Sequence, residues 1–486
     1  WQGIDGTRIL THFICAKDYY HYPVAFEEKK RPEHFTTYNG YLNPSQIKGT
    51  WKRYSQKRLN DSALICYGHG DGGGGTTRDM LENQRRIAKG IPGCPRTKVS
   101  TALEFFRHLE EETDGKETLP LWAGELYLEY HRGTYTSMAR NKRYNRQAEF
   151  LLHNLEALYT IGLLNRKTAY PGQKLEELWK SVLKNQFHDI LPGSGIREIY
   201  EDSKREYEQV LGEGYALEAR AMGLLTEAVE AGEGELVIFN RNGFVASDYV
   251  YVENPETVPL NLERTWDGKG ILYVKDVPAL GYRTISDAGE SGARGFLQVA
   301  TDTVETEDLK VTLNKAGQFT SVYDKKEQRE LLSPGQCGNR LVTYEDRPHN
   351  YDAWDINDYY TLKAWPLDEE AEISILEQNA KRAVLRVHRK YLDSTIVQDL
   401  IFYHEGTRID VVNHVDWKEK NILLRSLIPV DIHAEQASYE IQYGNVQRST
   451  YYNTSWEQAK FEVCAHKWID LSEDGYGVSV LNDCKY

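Results

Sequence analysis

Apolar positions along the chain change their period twice, and each change predicts a different kind of structure. From residue 1 to about 105, short apolar runs alternate with polar helical stretches. Thr7–Cys15 and Ser62–Tyr67 predict strands, a glycine cluster follows the second, and a helix is predicted from Thr77 to Lys89. Strand, glycine turn and helix in that order are the grammar of an α/β fold. From 116 to 230 the period becomes helical, with Leu151, Leu155 and Leu158, then Leu175, Leu178, Trp179, Val182 and Leu183. Pro171-Gly172 separates those two helices, and Pro192-Gly193 stops the second. Ile196–Val210 predicts a third helix and Ala216–Ala231 a further one. Short connections between such helices describe a bundle. After a glycine-rich linker near Gly232, Leu236–Asn240 opens a region of short strands such as Ala383–Val387 and Arg408–Val412, broken by Gly, Asn and Asp turns. That spacing predicts β-sandwich layers. The fold class is therefore multidomain α/β, then α, then β.

Length and charge narrow the function. A chain of 486 residues holds about three domains. The net charge of −14 repels phosphate backbones and anionic lipid heads, so neither nucleic acid nor a membrane surface is expected as partner. No apolar run is long enough to span a bilayer. The six cysteines, Cys15, Cys66, Cys94, Cys337, Cys464 and Cys484, show no paired spacing. That excludes a disulfide scaffold and a thiolate zinc site, and a reducing compartment is the simpler reading. The opening WQGIDGTRIL carries no Met or signal-peptide pattern, and LNDCKY closes the chain straight after a strand-like run. Both ends read as cuts through folded structure, so a fragment is expected.

The most prominent local signal is the loop Tyr67–Gly75. Gly68, Gly70 and Gly73 form GxGxxG between a strand and a helix, the setting of a dinucleotide fingerprint. Against that, Asp71 would face a pyrophosphate, and no acidic residue caps a second strand about 20 residues on, where the ribose contact belongs. A second reading makes Asp71 the point of the loop. Glycines let backbone and ligand approach closely, and a carboxyl presented this way serves as general acid or base. Donating a proton at neutral pH requires a raised pKa, which burial or a second carboxylate supplies and a helix N-terminus opposes. A third reading is a flexible turn whose Asp caps the next helix. The loop alone leaves these open.

His188 and Asp189 follow the apolar stripe that begins at Leu175, near the helix's C-terminal end. An imidazole there can bind metal, and an adjacent carboxylate can orient the ring or take a ligand hydroxyl. A single His is not a zinc site, since zinc takes about four ligands, and a buried helix-end His is the plain alternative. Glu125, Glu129, His131 and Arg132 read as a buried ion network or a sugar-binding rim, with the network preferred. Arg140, Lys142, Arg143 and Arg146 read as a solvated helix face. Trp354-Asp355 and Arg448–Trp456 are aromatic-polar loops of the β region.

Taken together, Tyr67–Gly75, Gly124–Ser137 and Asn185–Gly193 resemble the α-mannosidases of glycoside hydrolase family 38, in the cytosolic and bacterial branch. Trp354-Asp355 and Tyr476–Tyr486 resemble that family's later β domains. The resemblance implies a zinc-dependent, retaining exo-α-mannosidase acting on mannose-containing oligosaccharides, located in the cytoplasm, with the oligomeric state open. It implies residues 1–110 as the remainder of an α/β catalytic domain and 111–231 as a helical middle domain. Residues 232–292 would be a small β domain and 293–486 a truncated β-sandwich. It implies Asp71 as general acid/base, His188 as a zinc ligand and Asp189 as a carboxylate on the bound sugar. The family's His-x-Asp and its nucleophile Asp align upstream of Trp1, and Asp5 sits in a different motif. The chain is therefore expected to be inactive by itself and to hold zinc weakly. A carbohydrate-binding relative without catalysis is the alternative, and a nucleotide-binding oxidoreductase the third reading.

Overall fold

The computed structural model describes residues 1–17, 36–70, 73–114, 119–232, 234–258, 260–286, 295–296 and 298–486. The chain forms two compact units, Trp1–Leu126 and Tyr127–Tyr486.

The first unit is built on three helices, each started by a side chain that accepts from its first turn. Asn43 caps α1 (Pro44–Arg53), Thr77 caps α2 (Arg78–Ile87) and Thr101 caps α3 (Ala102–Thr113). Ile47, Tyr54, Met80, Ile87, Phe105 and Leu109 supply buried apolar surface. The strands expected at Thr7–Cys15 and Ser62–Tyr67 do not form. Single bridges occur instead, Gln2 with Arg8 and Ala123, and Gly40 with Tyr67. A strand exists only through its ladder, and among the described residues these segments have no neighbour to run one against. Ile9 and Phe13 accordingly stand 64% and 69% exposed.

The second unit begins with three long helices, α4 (Ala139–Leu164), α5 (Gly172–Asn185) and α6 (Arg197–Thr226). Their stripes meet in one core of Leu151, Leu152, Leu155, Leu158, Leu175, Leu178, Val182, Tyr207 and Val210. The two helices expected at Ile196–Val210 and Ala216–Ala231 are one helix of 30 residues, ending at Thr226. Gly214 does not break it. A Cβ there would lie 2.6 Å from Leu151 Cδ2, so this glycine lets α6 approach α4.

Antiparallel sheets follow. Gly270–Val277 runs between Ala246–Val252 and Glu263–Arg264. A five-stranded sheet from Gln298–Ala300 to Arg329–Glu330 packs on the four strands Glu372–Gln378, Arg382–Tyr391, Ser394–Tyr403 and Ile409–Asp416. Leu385, Val387 and Leu400 face the first sheet, while Val384 and Ile401 face Tyr249 and Ile271. The four-stranded sheet is thus covered on both sides, which is why Ala383–Val387 carries so many apolar residues. Among the described residues the unit holds three further sheets and a short helix α7 (Ser455–Ala459).

Candidate active site

His188 and Asp189 lie just past α5, on its way to α6. Helix α5 ends at Asn185, whose amide donates to Ser181 O and Glu206. The chain then folds through consecutive turns, Ile190 N to Phe187 O and Gly193 N to Ile190 O. Both side chains are presented outward, 81% and 49% exposed, with His188 Nε2 3.6 Å from Asp189 Oδ2. The buried-histidine alternative is therefore ruled out for His188. The turn beneath them is braced. Tyr200, itself buried, donates its hydroxyl to Ile190 O and accepts from Gly195 N. Gln186 donates to Asn145 Oδ1 and Glu149 Oε1 on α4. Gly193, at φ +96°, passes so close to Ser137 that a Cβ would lie 2.8 Å from its backbone.

The segment 131–138 packs beside this turn. His131 and Met138 both adopt left-handed backbone, φ 66° and 54°. The His131 ring meets Trp354 edge-on at 4.8 Å. A Cβ on Gly133 would press on the backbone of Trp354 and Asp355, and Ser137 Oγ donates to Ala353 O. The motifs around 131–138, 185–193 and 353–355 are therefore one neighbourhood. Of the ion network expected of Glu125, Glu129, His131 and Arg132, Arg132 is the buried member. That buried guanidinium donates to Tyr127 Oη, Glu129 O and Ala459 O, lies over the Phe461 ring, and has Asp355 as its carboxylate at 3.9 Å. Among the described residues Glu129 meets Arg132 through its carbonyl.

The basic run on α4 is also not a solvated face. Arg140 and Arg143 are exposed, but Lys142 and Arg146 are 1% and 2% exposed. Arg146 pairs with Glu149, donates to His466 O and stacks on Tyr486. Lys142 donates to the carbonyls of Ser137 and Leu191. The signal for these residues was available: Asn141, Lys142, Asn145 and Arg146 continue, at helical spacing, the buried face carrying Ala148, Leu152 and Leu155.

In the first unit, Asp71 lies outside the described residues. What flanks it is a tight return of the chain, Gly74 N to His69 O and Gly73 N to Gly70 O. Gly70 N also donates to Asn39 Oδ1, and Gly40 exchanges backbone bonds with Cys66 and Gly68. The cap of α2 is Thr77, not Asp71, with Asp79 in the first turn. That helix start is already satisfied and acidic, a poor seat for a pyrophosphate. Asp5 spends its carboxylate on Thr7, accepting from its N–H and hydroxyl, and this holds its pKa below the usual value. Among the described residues, the His and acidic ligand atoms that gather within 4.8 Å belong to Asp61, His108 and Glu112, the first two exposed and the third half-buried.

Comparison with known families accounts for most of the chain in one order. The N-terminal domain of glycosyl hydrolases family 38 matches residues 1–125, the α-mannosidase middle domain 129–225, and the family 38 C-terminal domain 304–486. The chain belongs to glycosyl hydrolase family 38. Its relatives within that family include alpha-mannosidase 2C1 of Homo sapiens, 32% identical over the whole chain and 44% of the human protein. Alpha-mannosidase G of Dictyostelium discoideum is 32% identical, with 47% of its length covered. The chain thus spans less than half the length of the curated family 38 relatives it matches. An alpha-mannosidase from Enterococcus faecalis V583 shares the fold, with a TM-score of 0.72 at 17% identity over 89% of this chain and 58% of that one.

Proposed function

We propose that the chain carries part of the site of a retaining, zinc-dependent exo-α-mannosidase that removes terminal α-linked mannose from oligosaccharides. The observation that carries this reading is the His188-Asp189 turn: two adjacent polar side chains held outward by a buried frame, in a family 38 chain.

Retention requires two carboxyl groups about 5–5.5 Å apart, one nucleophile and one acid/base. Asp71 takes the acid/base role, protonating the leaving oxygen and then accepting a proton from the attacking water. Asp189 accepts hydrogen bonds from sugar hydroxyls. Its carboxylate beside the imidazole helps set the ring of His188, which offers a nitrogen to the metal. The donor chemistry fits zinc as far as it goes, since an exposed imidazole next to a carboxylate is a normal partial ligand set. Zinc takes about four ligands, so further donors complete the site. Bound there, the ion supplies Lewis-acid polarisation of the sugar hydroxyls. Cytoplasmic residence suits six cysteines that are all unpaired. No helix among the described residues is long and apolar enough to cross a membrane.

The alternative is a carbohydrate-binding relative that does not turn substrate over. The test is turnover of an aryl α-mannoside by the full-length protein and its Asp71→Asn variant. We expect the variant to lose at least about a hundredfold in kcat while keeping mannoside affinity. An Asp71→Asn protein as active as its parent would remove the acid/base assignment, and no turnover by the parent would favour the binding alternative. The 486-residue chain alone is expected to give no turnover, and hydrolysis by it would overturn that expectation.

A further inference from the structure

Lys142 is the most deeply buried cation beside the His188-Asp189 turn, and the proposed mechanism does not use it. It projects from the first turns of α4 and is 1% exposed. A buried ammonium normally finds a carboxylate. Among the described residues this one finds two backbone carbonyls, Ser137 O and, at 2.8 Å, Leu191 O. Ser137 ends the segment that packs against Trp354-Asp355, and its hydroxyl donates to Ala353 O. Leu191 lies two residues beyond Asp189. A single nitrogen therefore ties the 131–138 stretch to the 185–193 turn, and the Ser137 hydroxyl carries the tie on to Ala353. Close contact reinforces the tie, because Gly193 leaves no room between the turn and Ser137.

We propose that Lys142 is a positioning residue for this site: by donating to Ser137 and Leu191 it fixes the turn that presents His188 and Asp189 against the 131–138 segment. A lysine whose task was only to stabilise the bundle would be better replaced by an apolar side chain of similar volume, because burying a charge costs stability. Its value lies in geometry. Carbonyls accept only from a donor, and a flexible stem with several N–H bonds reaches two at once. This inference rests on the mannosidase reading for its consequence, but not for its structural test.

The structural test is amide hydrogen exchange on the 486-residue chain carrying Lys142→Met, with Lys142→Gln beside it. In the Met variant, exchange in residues 187–191 should quicken by about tenfold or more, while Leu151–Leu158 stays protected. Gln keeps a donor and should recover part of that protection. If Lys142→Met does not fold, the Gln variant is judged by the same contrast, with partial loosening confined to the turn expected. Unchanged exchange at 187–191, or equal loosening throughout α4, would overturn the proposal. In the full-length protein, Lys142→Met should lower kcat/KM for an aryl α-mannoside by about tenfold or more, mostly through kcat. Unchanged kcat in an active protein would also overturn it. If the parent turns nothing over, the mannosidase reading fails while the exchange contrast still decides the role of Lys142.

Discussion

Lys142 shows how a single side chain can cost stability and still be kept. Burial and the ammonium of Lys485 push its pKa down to about 7, from the 10.5 of an unperturbed lysine. Between those values the unfolded chain binds more protons than the folded one, so this group makes stability rise with pH across that window. Below pH 7 both states are charged and the full penalty stands. The unfolding free energy of the parent from urea denaturation, measured against Lys142→Met, should therefore climb from pH 7 towards pH 10, by at most about 1.4 kcal/mol per pH unit. A difference that stays flat across the window would mean that the buried amine is not perturbed. The sequence made His188 and Asp189 legible because they interrupt an apolar stripe at a Pro-Gly stop. It hid Lys142, because a lysine in a run of basic residues looks the same whether it faces solvent or core. Gly193 was legible only as a stop. Its second task, letting the turn touch Ser137, depends on a contact 56 positions away in sequence.

Among elements, helices were more readable than strands for a physical reason. A helix closes its hydrogen bonds locally, so its period and its caps are written in adjacent residues. A strand borrows its bonds from elsewhere, and Thr7–Cys15 has the right residues without the partner. The division of α6 into two helices failed because Gly214 packs against α4, a contact that outweighs low helical propensity, while Gly212 meets nothing and is carried within the same helix. The β elements are also joined by polar contacts that no local pattern announces. Glu377, on Glu372–Gln378, holds buried Arg382 through two bonds of 2.7 and 2.9 Å. It also accepts from Trp266 N, while Arg382 donates to Tyr251 Oη. One ion pair thus stitches the four-stranded sheet to the strands of the smaller sheet. Glu377→Ala leaves that guanidinium buried without its anion and should cost about 3–5 kcal/mol in denaturant unfolding. A loss under 1 kcal/mol would show the pair to be solvated in practice.

On the scale of the molecule, the two units differ in how much they hold themselves together. Among the described residues the contiguous apolar cores lie in Tyr127–Tyr486, in the helical bundle and between the sheets. The first unit instead leaves Ile4, Ile9, Phe13 and Leu103 more than 60% exposed. Residues 127–486 expressed alone should therefore unfold in a cooperative thermal transition with native-like near-ultraviolet dichroism. A broad, non-cooperative melt would mean that this unit depends on the first. The order of a first portion of different texture, then helices, then antiparallel sheets was legible from the changes of period. The closeness of the helical and β motifs within the second unit was not, because it is created by tertiary contacts such as Ser137 with Ala353.

The seam between α4 and the last sheet carries a consequence for synthesis. Asn145 bonds the hydroxyl of Tyr486, and Arg146 stacks on the same ring, although 341 positions separate Asn145 from it. A ribosome adding about 5–20 residues per second needs roughly 20–70 s to cover that interval. For that time the bundle can assemble its leucine core but lacks the lid over Arg146, and water must hydrate that part of the seam. The nascent chain then carries a helical bundle with a temporary wet face, which closes when Tyr486 arrives.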